Sequence, residues 1–197
     1  MQTSVLIVGQ GLCGTWLSYY LQQAGISFLV IDDHKNDTSS KIASGIINPV
    51  TGRRLVKTWM IDEVLPFAVN AYQNFPGSIQ QCNVLDFFSA PDVEIAFNKR
   101  LNEHAAYISF INNKEIWRQY FNFNFGVGSI EPCYLVAINT LLEYWKTYLQ
   151  KNNLLFSESF YENDLVIKKE GIRYQNIEAK YIIYCNGINT STSKYFS

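Results

Sequence analysis

Several things that would narrow the search are scarce here. The 197 residues include only two histidines and four cysteines, at positions 13, 82, 133 and 185, with no C-x-x-C pair. A structural zinc site is therefore not expected, and reduced thiols in a cytoplasmic protein are the default. No apolar run approaches the roughly 20 residues that cross a bilayer. The first strand-like run already opens at residue 5, which leaves no room for a signal peptide. Basic residues never cluster beyond a pair, and 16 Lys and Arg face 17 Asp and Glu. Nucleic acid and anionic membranes are poor partners for such a balance. With 48% hydrophobic residues the chain can bury a sizeable core, and disorder is not expected.

What is present is concentrated at the start. Val5 to Val8 is an unbroken apolar run, as expected of a strand buried on both faces of a parallel sheet. It leads into Gly9-Gln10-Gly11-Leu12-Cys13-Gly14, the G-x-G-x-x-G spacing. Gly9 serves the tight turn, Gly11 the approach of a pyrophosphate, and Gly14 the packing of helix on strand. Apolar residues at Cys13, Leu17, Tyr20, Leu21 and Ala24 predict a helix with that face buried, and Gly25 stands where a C-cap belongs. The free N–H groups and dipole at this helix start favour a phosphate. Gly9, Gly11, Leu12, Cys13 and Gly14 are thus candidate cofactor-binding residues. A second strand, Phe28 to Ile31, ends in Asp32, whose carboxylate can accept hydrogen bonds from ribose hydroxyls; Asp33 beside it joins the candidates. A 2′-phosphate would be repelled there, so NADP is disfavoured and FAD and NAD remain. The fold class expected is α/β, a Rossmann-like FAD/NAD(P)-binding domain carrying an inserted, partial α+β substrate domain.

After Asp32 the composition is that of a loop. His34 reads either as a solvated loop side chain, the favoured reading, or as a contact to adenine. The run Ser39-Ser40, Ala43-Ser44-Gly45-Ile46-Ile47 and Pro49 resembles the segment after the second strand in FAD-dependent oxidoreductases of the D-amino-acid oxidase and glycine oxidase type. That resemblance implies that Ser39 and Ser40 lie along the pyrophosphate and ribityl part of FAD, and that Ser44, Gly45 and Ile46 contact the flavin ring. A plain NAD dehydrogenase has no such segment, which moves the cofactor expectation to FAD.

Lys57 to Phe75 has a helical pattern, with Met60, Ile61, Val64, Leu65, Ala68 and Tyr72 as its apolar stripe and Pro66 as a kink or break. Strands are expected at Val84 to Phe88, Tyr107 to Ile111, Tyr120 to Phe125 and Gly128 to Ile130, with a short helix over Asp92 to His104. Arg53 and Arg54 could dock a substrate carboxylate, although a solvated basic pair is the favoured reading. Tyr134 to Lys151 predicts a helix burying Ile138, Leu141, Leu142, Trp145 and Leu149. Leu154 to Phe160 follows as a strand, then a hairpin of Leu165 to Lys168 and Ile172 to Tyr174 turning at Glu170-Gly171, then a buried strand Lys180 to Cys185. Residues 1–59 and 132–197 are read as a discontinuous FAD-binding domain lacking its last segment, and 60–131 as the partial substrate-side domain.

This element order is similar to the same oxidase family. The likeness implies that Phe160 meets the adenine through its backbone and that Gly187 lets the chain pass the cofactor. Phe160 replaces the family's usual small aliphatic, and Cys185-Asn186-Gly187 its usual Ala-Thr-Gly. In that family the substrate-side domain continues beyond the last strand here, with the arginine and tyrosine that hold the substrate carboxylate. The expectation is an FAD-dependent oxidoreductase oxidising a small amine or amino acid by hydride transfer. This chain is expected to be only part of the catalytic unit, with no catalytic residue assigned; a short protein completed by pairing with a second copy is the alternative. The rivals are an NAD-binding dehydrogenase or sensor domain and a non-catalytic FAD-binding module.

Overall fold

The computed structural model describes residues 1–52, 55–103, 106–111, 113–188 and 193–195. Arg53 and Arg54, the basic pair weighed above, lie outside the described residues, as does His104. The chain forms two compact units, one of residues 1–43 and 138–197 and the other of residues 44–137. The boundaries read from sequence were 59/60 and 131/132.

The first unit opens with β1 (Gln2–Val8), α1 (Leu12–Gln23), β2 (Phe28–Ile31) and a one-turn helix α2 (Ser39–Ile42). The second contains β3 (Ile46–Ile47), β4 (Val50–Thr51), β5 (Val56–Lys57), α3 (Ile61–Gln73), β6 (Ile79–Phe87), α4 (Pro91–Asn102), β7 (Ile108–Phe110) and β8 (Val127–Val136). The first then resumes with α5 (Ile138–Lys151), β9 (Leu155–Phe156), β10 (Leu165–Lys168), β11 (Gly171–Tyr174) and β12 (Ile177–Tyr184).

In the first unit six strands run in the order β10-β11-β12-β1-β2-β9. β12, β1, β2 and β9 are mutually parallel, and β10 and β11 form an antiparallel excursion. β2 and the second half of β1 are buried on both faces, which is why they read as unbroken apolar runs. β12 does not share that burial: Tyr181 and Ile183 are exposed, so the last strand, expected to be buried, has one face open. The five residues expected to face the core from α5 are all buried, but the helix starts at Ile138, four residues late, because Tyr134 to Val136 continue β8.

α1 differs more. Its buried residues are Gly14, Thr15 and Ser18, whereas Cys13, Tyr20 and Ala24 of the expected face are exposed. Trp145 of α5 explains this, because its indole N–H donates to Ser18 Oγ at 2.7 Å and the close approach leaves room only for small side chains. α1 ends in paired turns, Ile26 N–H to Leu21 O and Gly25 N–H to Gln22 O, around Gly25 at φ +67°, the left-handed position glycine favours.

The second unit is an antiparallel sheet, β3-β8-β6, with β7 also on β8 and a separate β4-β5 pair. Hydrogen bonding of β3 to β8 draws residues 46–59 into this unit. α3 begins four residues after Lys57 and runs on through Pro66; it buries Ile61, Leu65 and Ala71, while Met60 and Val64 of the expected stripe are exposed. Tyr120 to Phe125 is not a strand. Its aromatics serve packing, with Phe121 and Phe123 against Phe87 at centroid distances of 4.9 and 5.0 Å, which also explains their β-like composition.

Candidate functional site

The glycine turn is closed by its neighbours. Gly9 N–H donates to Ile31 O at 2.8 Å, and Cys185 N–H to Val8 O at 2.7 Å. Gly9 has φ +101°, and a Cβ there would lie 2.5 Å from Cys185 O; one at Gly14 would lie 1.8 Å from Gly9 O. Both contacts are with backbone that cannot swing aside, so any side chain would force the turn, the helix and β12 apart.

Past this turn lies a cavity of about 700 Å³ lined by residues of the first unit alone, within the range of small-molecule and cofactor sites. Gly9, Gly11, Asp32 and Asp33 line it together with Ser39 and Ser40; Phe160 and Gly187 close it from the other end of the chain. Leu12, Cys13 and Gly14 lie at the start of α1 but are not among its lining residues, and Ser44, Gly45 and Ile46 open the second unit.

Ser40 Oγ accepts the Leu12 N–H at 3.0 Å. The hydroxyl thus satisfies one of the donors that a helix start leaves open, and it does so from the segment expected to follow the pyrophosphate. A Cβ on Gly11 would stand 2.9 Å from the same oxygen. Lys35 is the basic side chain among the described lining residues, and it is paired with Asp33 at 3.0 Å. The positive pole offered to an anion is therefore the α1 N-terminus and its dipole.

Asp32 is held from two sides. Its Oδ2 accepts the Gln10 N–H at 2.6 Å, and its Oδ1 accepts the His34 N–H at 2.7 Å and faces His34 Nδ1 at 2.9 Å. A carboxylate offers about four acceptor sites, so Oδ2 keeps one for a hydroxyl in the cavity. Around Asp33, desolvation works to raise the carboxyl, but the hydrogen bonds and charge of Lys35 and the Ser159 hydroxyl outweigh it and hold it below the usual aspartate range. Burial pushes the Cys185 thiol up to about 11, with Cys13 adding to the effect. Phe160 stacks on Tyr174 at 4.7 Å and meets Tyr184 edge-on at 5.6 Å, so its ring packs against the core of the unit, and the residue lines the cavity.

Two participants were not legible as such. Gln10, at a variable position of the glycine motif, is buried and donates to Thr15 Oγ1 at 2.9 Å and Leu142 O at 3.1 Å, tying the turn to α1 and α5. Ser157 stands 2.9 Å from His34 Nε2. A polar residue between two glycines was the one available signal for the former; nothing local marks the latter. Among the described residues no cluster of metal-ligating side chains occurs, and no helix is long and apolar enough to cross a membrane.

Residues 2–70 match the FAD binding domain family. The class defined by fold and site is thus an FAD-binding α/β domain, with FAD rather than NAD as its cofactor. Among solved structures the chain is similar to L-proline dehydrogenase from P. horikoshii, with a TM-score of 0.69 and 11% identity over 94% of this chain and 53% of that one. It is similar to L-α-glycerophosphate oxidase from Mycoplasma pneumoniae, with a TM-score of 0.65 and 18% identity over 92% and 53%. It is also similar to glycine oxidase from Bacillus cereus, with a TM-score of 0.64 and 12% identity over 91% and 55%. The fold is therefore that of FAD-dependent oxidoreductases, and the chain spans about half the length of these proteins.

Proposed function

We propose that this chain is the FAD-binding part of an oxidoreductase that oxidises a small amine or amino acid by hydride transfer. The observation that carries the reading is the joint exposure, in one cavity, of the glycine turn before α1, the Ser40 hydroxyl on that helix start, and the Asp32 carboxylate. The donor set fits the cofactor: N–H groups and a dipole for the pyrophosphate, Asp32 Oδ2 for a ribose hydroxyl, and the backbone around Phe160 and Gly187 for the rest. Gly9, Gly11, Leu12, Cys13 and Gly14 hold the phosphate end in this reading, Ser39 and Ser40 lie along the pyrophosphate and ribityl part, and Asp32 and Asp33 meet the adenosine ribose. Ser44, Gly45 and Ile46 keep the flavin-ring role on the resemblance alone. When bound, FAD would supply the hydride acceptor; the residues named here would bind and orient it.

Glycine oxidase and proline dehydrogenase among the similar structures support the amine class of substrate, and the catalytic side chains stay unassigned. A cytoplasmic setting belongs to this reading on the cysteine usage of the sequence, four cysteines with no C-x-x-C pair. Pairing with a second chain would suit the exposed Tyr181 and Ile183 of β12.

The test begins with purified protein and FAD. A yellow protein that releases FAD on heating is expected; a colourless one that takes up no FAD would remove the reading. Glycine, sarcosine and D-amino acids are then added without oxygen: a chain that is only part of the catalytic unit should show no bleaching of the flavin band at enzymatic rates, and substrate-dependent bleaching would show that the active site is complete in these residues and would overturn the reading of the chain as a part.

A further inference from the structure

His34 neither floats in solvent nor lines the cavity. Its side chain is 21% exposed and both ring nitrogens have partners, Nδ1 at 2.9 Å from Asp32 Oδ1 and Nε2 at 2.9 Å from Ser157 Oγ. Its own N–H donates to the same Asp32 oxygen, and its backbone is left-handed at φ 56°. That conformation is costly for a residue with a Cβ; here it turns the amide and the ring onto one carboxylate oxygen. Of the two residues, Asp32 borders the 700 Å³ cavity and His34 does not; His34 borders a much smaller adjoining recess, which Gln10, Gly11 and Asp32 also line.

We infer that His34 is a positioning residue, which fixes the Asp32 carboxylate so that its free acceptor site points into the cavity toward a ribose hydroxyl. The inference rests on the reading of Asp32 as a ribose contact of FAD. The partners set the ring's roles: Asp32, an acceptor only, takes the proton on Nδ1, and Nε2 then accepts from the Ser157 hydroxyl. Gln10 N–H grips Oδ2 from the other side, so neither carboxylate torsion turns freely. A ligand meeting an acceptor already ordered need not order it on binding, and affinity gains accordingly.

The experiment is a titration of apo-protein with FAD, followed by quenching of flavin fluorescence, on the wild type, His34→Gly, His34→Asn and each of these with Asp32→Ala. Glycine keeps the left-handed backbone and its N–H and removes only the ring; asparagine tolerates that backbone and returns a donor at the Nδ1 position. Circular dichroism establishes that each variant is folded. His34→Gly should raise the FAD Kd about tenfold, His34→Asn should return it to within about threefold of wild type, and His34→Gly should change nothing further once Asp32 is alanine. Wild-type affinity in His34→Gly, or an equal loss with and without Asp32, would overturn the inference while leaving FAD binding intact. A wild type that binds no FAD would overturn the proposed function and this inference together.

Discussion

α1 and α5 belong to the same unit and meet at Trp145, which donates to Ser18 Oγ and packs edge-on to Tyr19 at 5.4 Å, yet they are buried for opposite reasons. α5 offers Leu141, Leu142, Trp145 and Leu149 to the core and is held by apolar area removed from water. α1 offers Gly14, Thr15 and Ser18 and keeps aromatics such as Tyr20 outside. Its position is dictated at one end by the glycine turn and along its length by how near Trp145 can come. The helix that starts at the glycine turn is thus packed by smallness, and the one remote from it by bulk.

Four changes would break or sharpen that contrast. Gly14→Val should cost the most, more than about 4 kcal/mol, because its Cβ would lie 1.8 Å from a backbone oxygen; urea unfolding, or failure to obtain folded protein, would show it, and near wild-type stability would mean that α1 is free to shift. Leu149→Ala on α5, at a fully buried position, should cost about 3 kcal/mol with the FAD Kd little changed, which separates bulk packing from the site. Ser18→Ala should cost about 1 to 2 kcal/mol, because it leaves the indole N–H of Trp145 buried without its acceptor; adding Trp145→Phe should then cost less than it does alone.

The smallest effect is one of pH. Cys185 behind the turn has its thiol pushed up to about 11 from an ordinary 9.0, whereas Cys13 on the outward face of α1 is exposed. Between those two values the unfolded chain gives up a proton that the folded chain keeps, so stability should fall as pH rises from about 9 to about 11. Alkylation followed by peptide mass spectrometry at pH 8 should mark Cys13 well before Cys185. Equal labelling in the folded protein would mean that the residue following β12 is not shielded.

Where burial comes from apolar side chains at regular spacing, the elements were legible: β1, β2, the α5 stripe and the β10–β11 hairpin all follow from pattern. Misreadings fall where another constraint rules. The α1 face was read by hydropathy when size governed it. Tyr120 to Phe125 was read as a strand because aromatic packing and β-propensity share the same residues. The start of α5 was placed inside β8 because Tyr134 to Val136 fit either period. In the site, the glycines, Asp32 and the serine pair were visible as motif, but Gln10 and Ser157 were not, since their partners lie 132 and 123 residues away in sequence.

By itself the sequence determined the glycine turn, the acid that follows β2 and the class of cofactor they suit, because those depend on local backbone geometry that only glycine and a correctly placed carboxylate can supply. Tertiary structure alone decided that the Gln10 N–H takes Asp32 Oδ2, that Ser40 sits on the α1 N-terminus, and that Trp145 meets the small face of α1 at Ser18. Each of these is a contact between segments far apart in the chain, and its geometry exists only once the strands between them have paired.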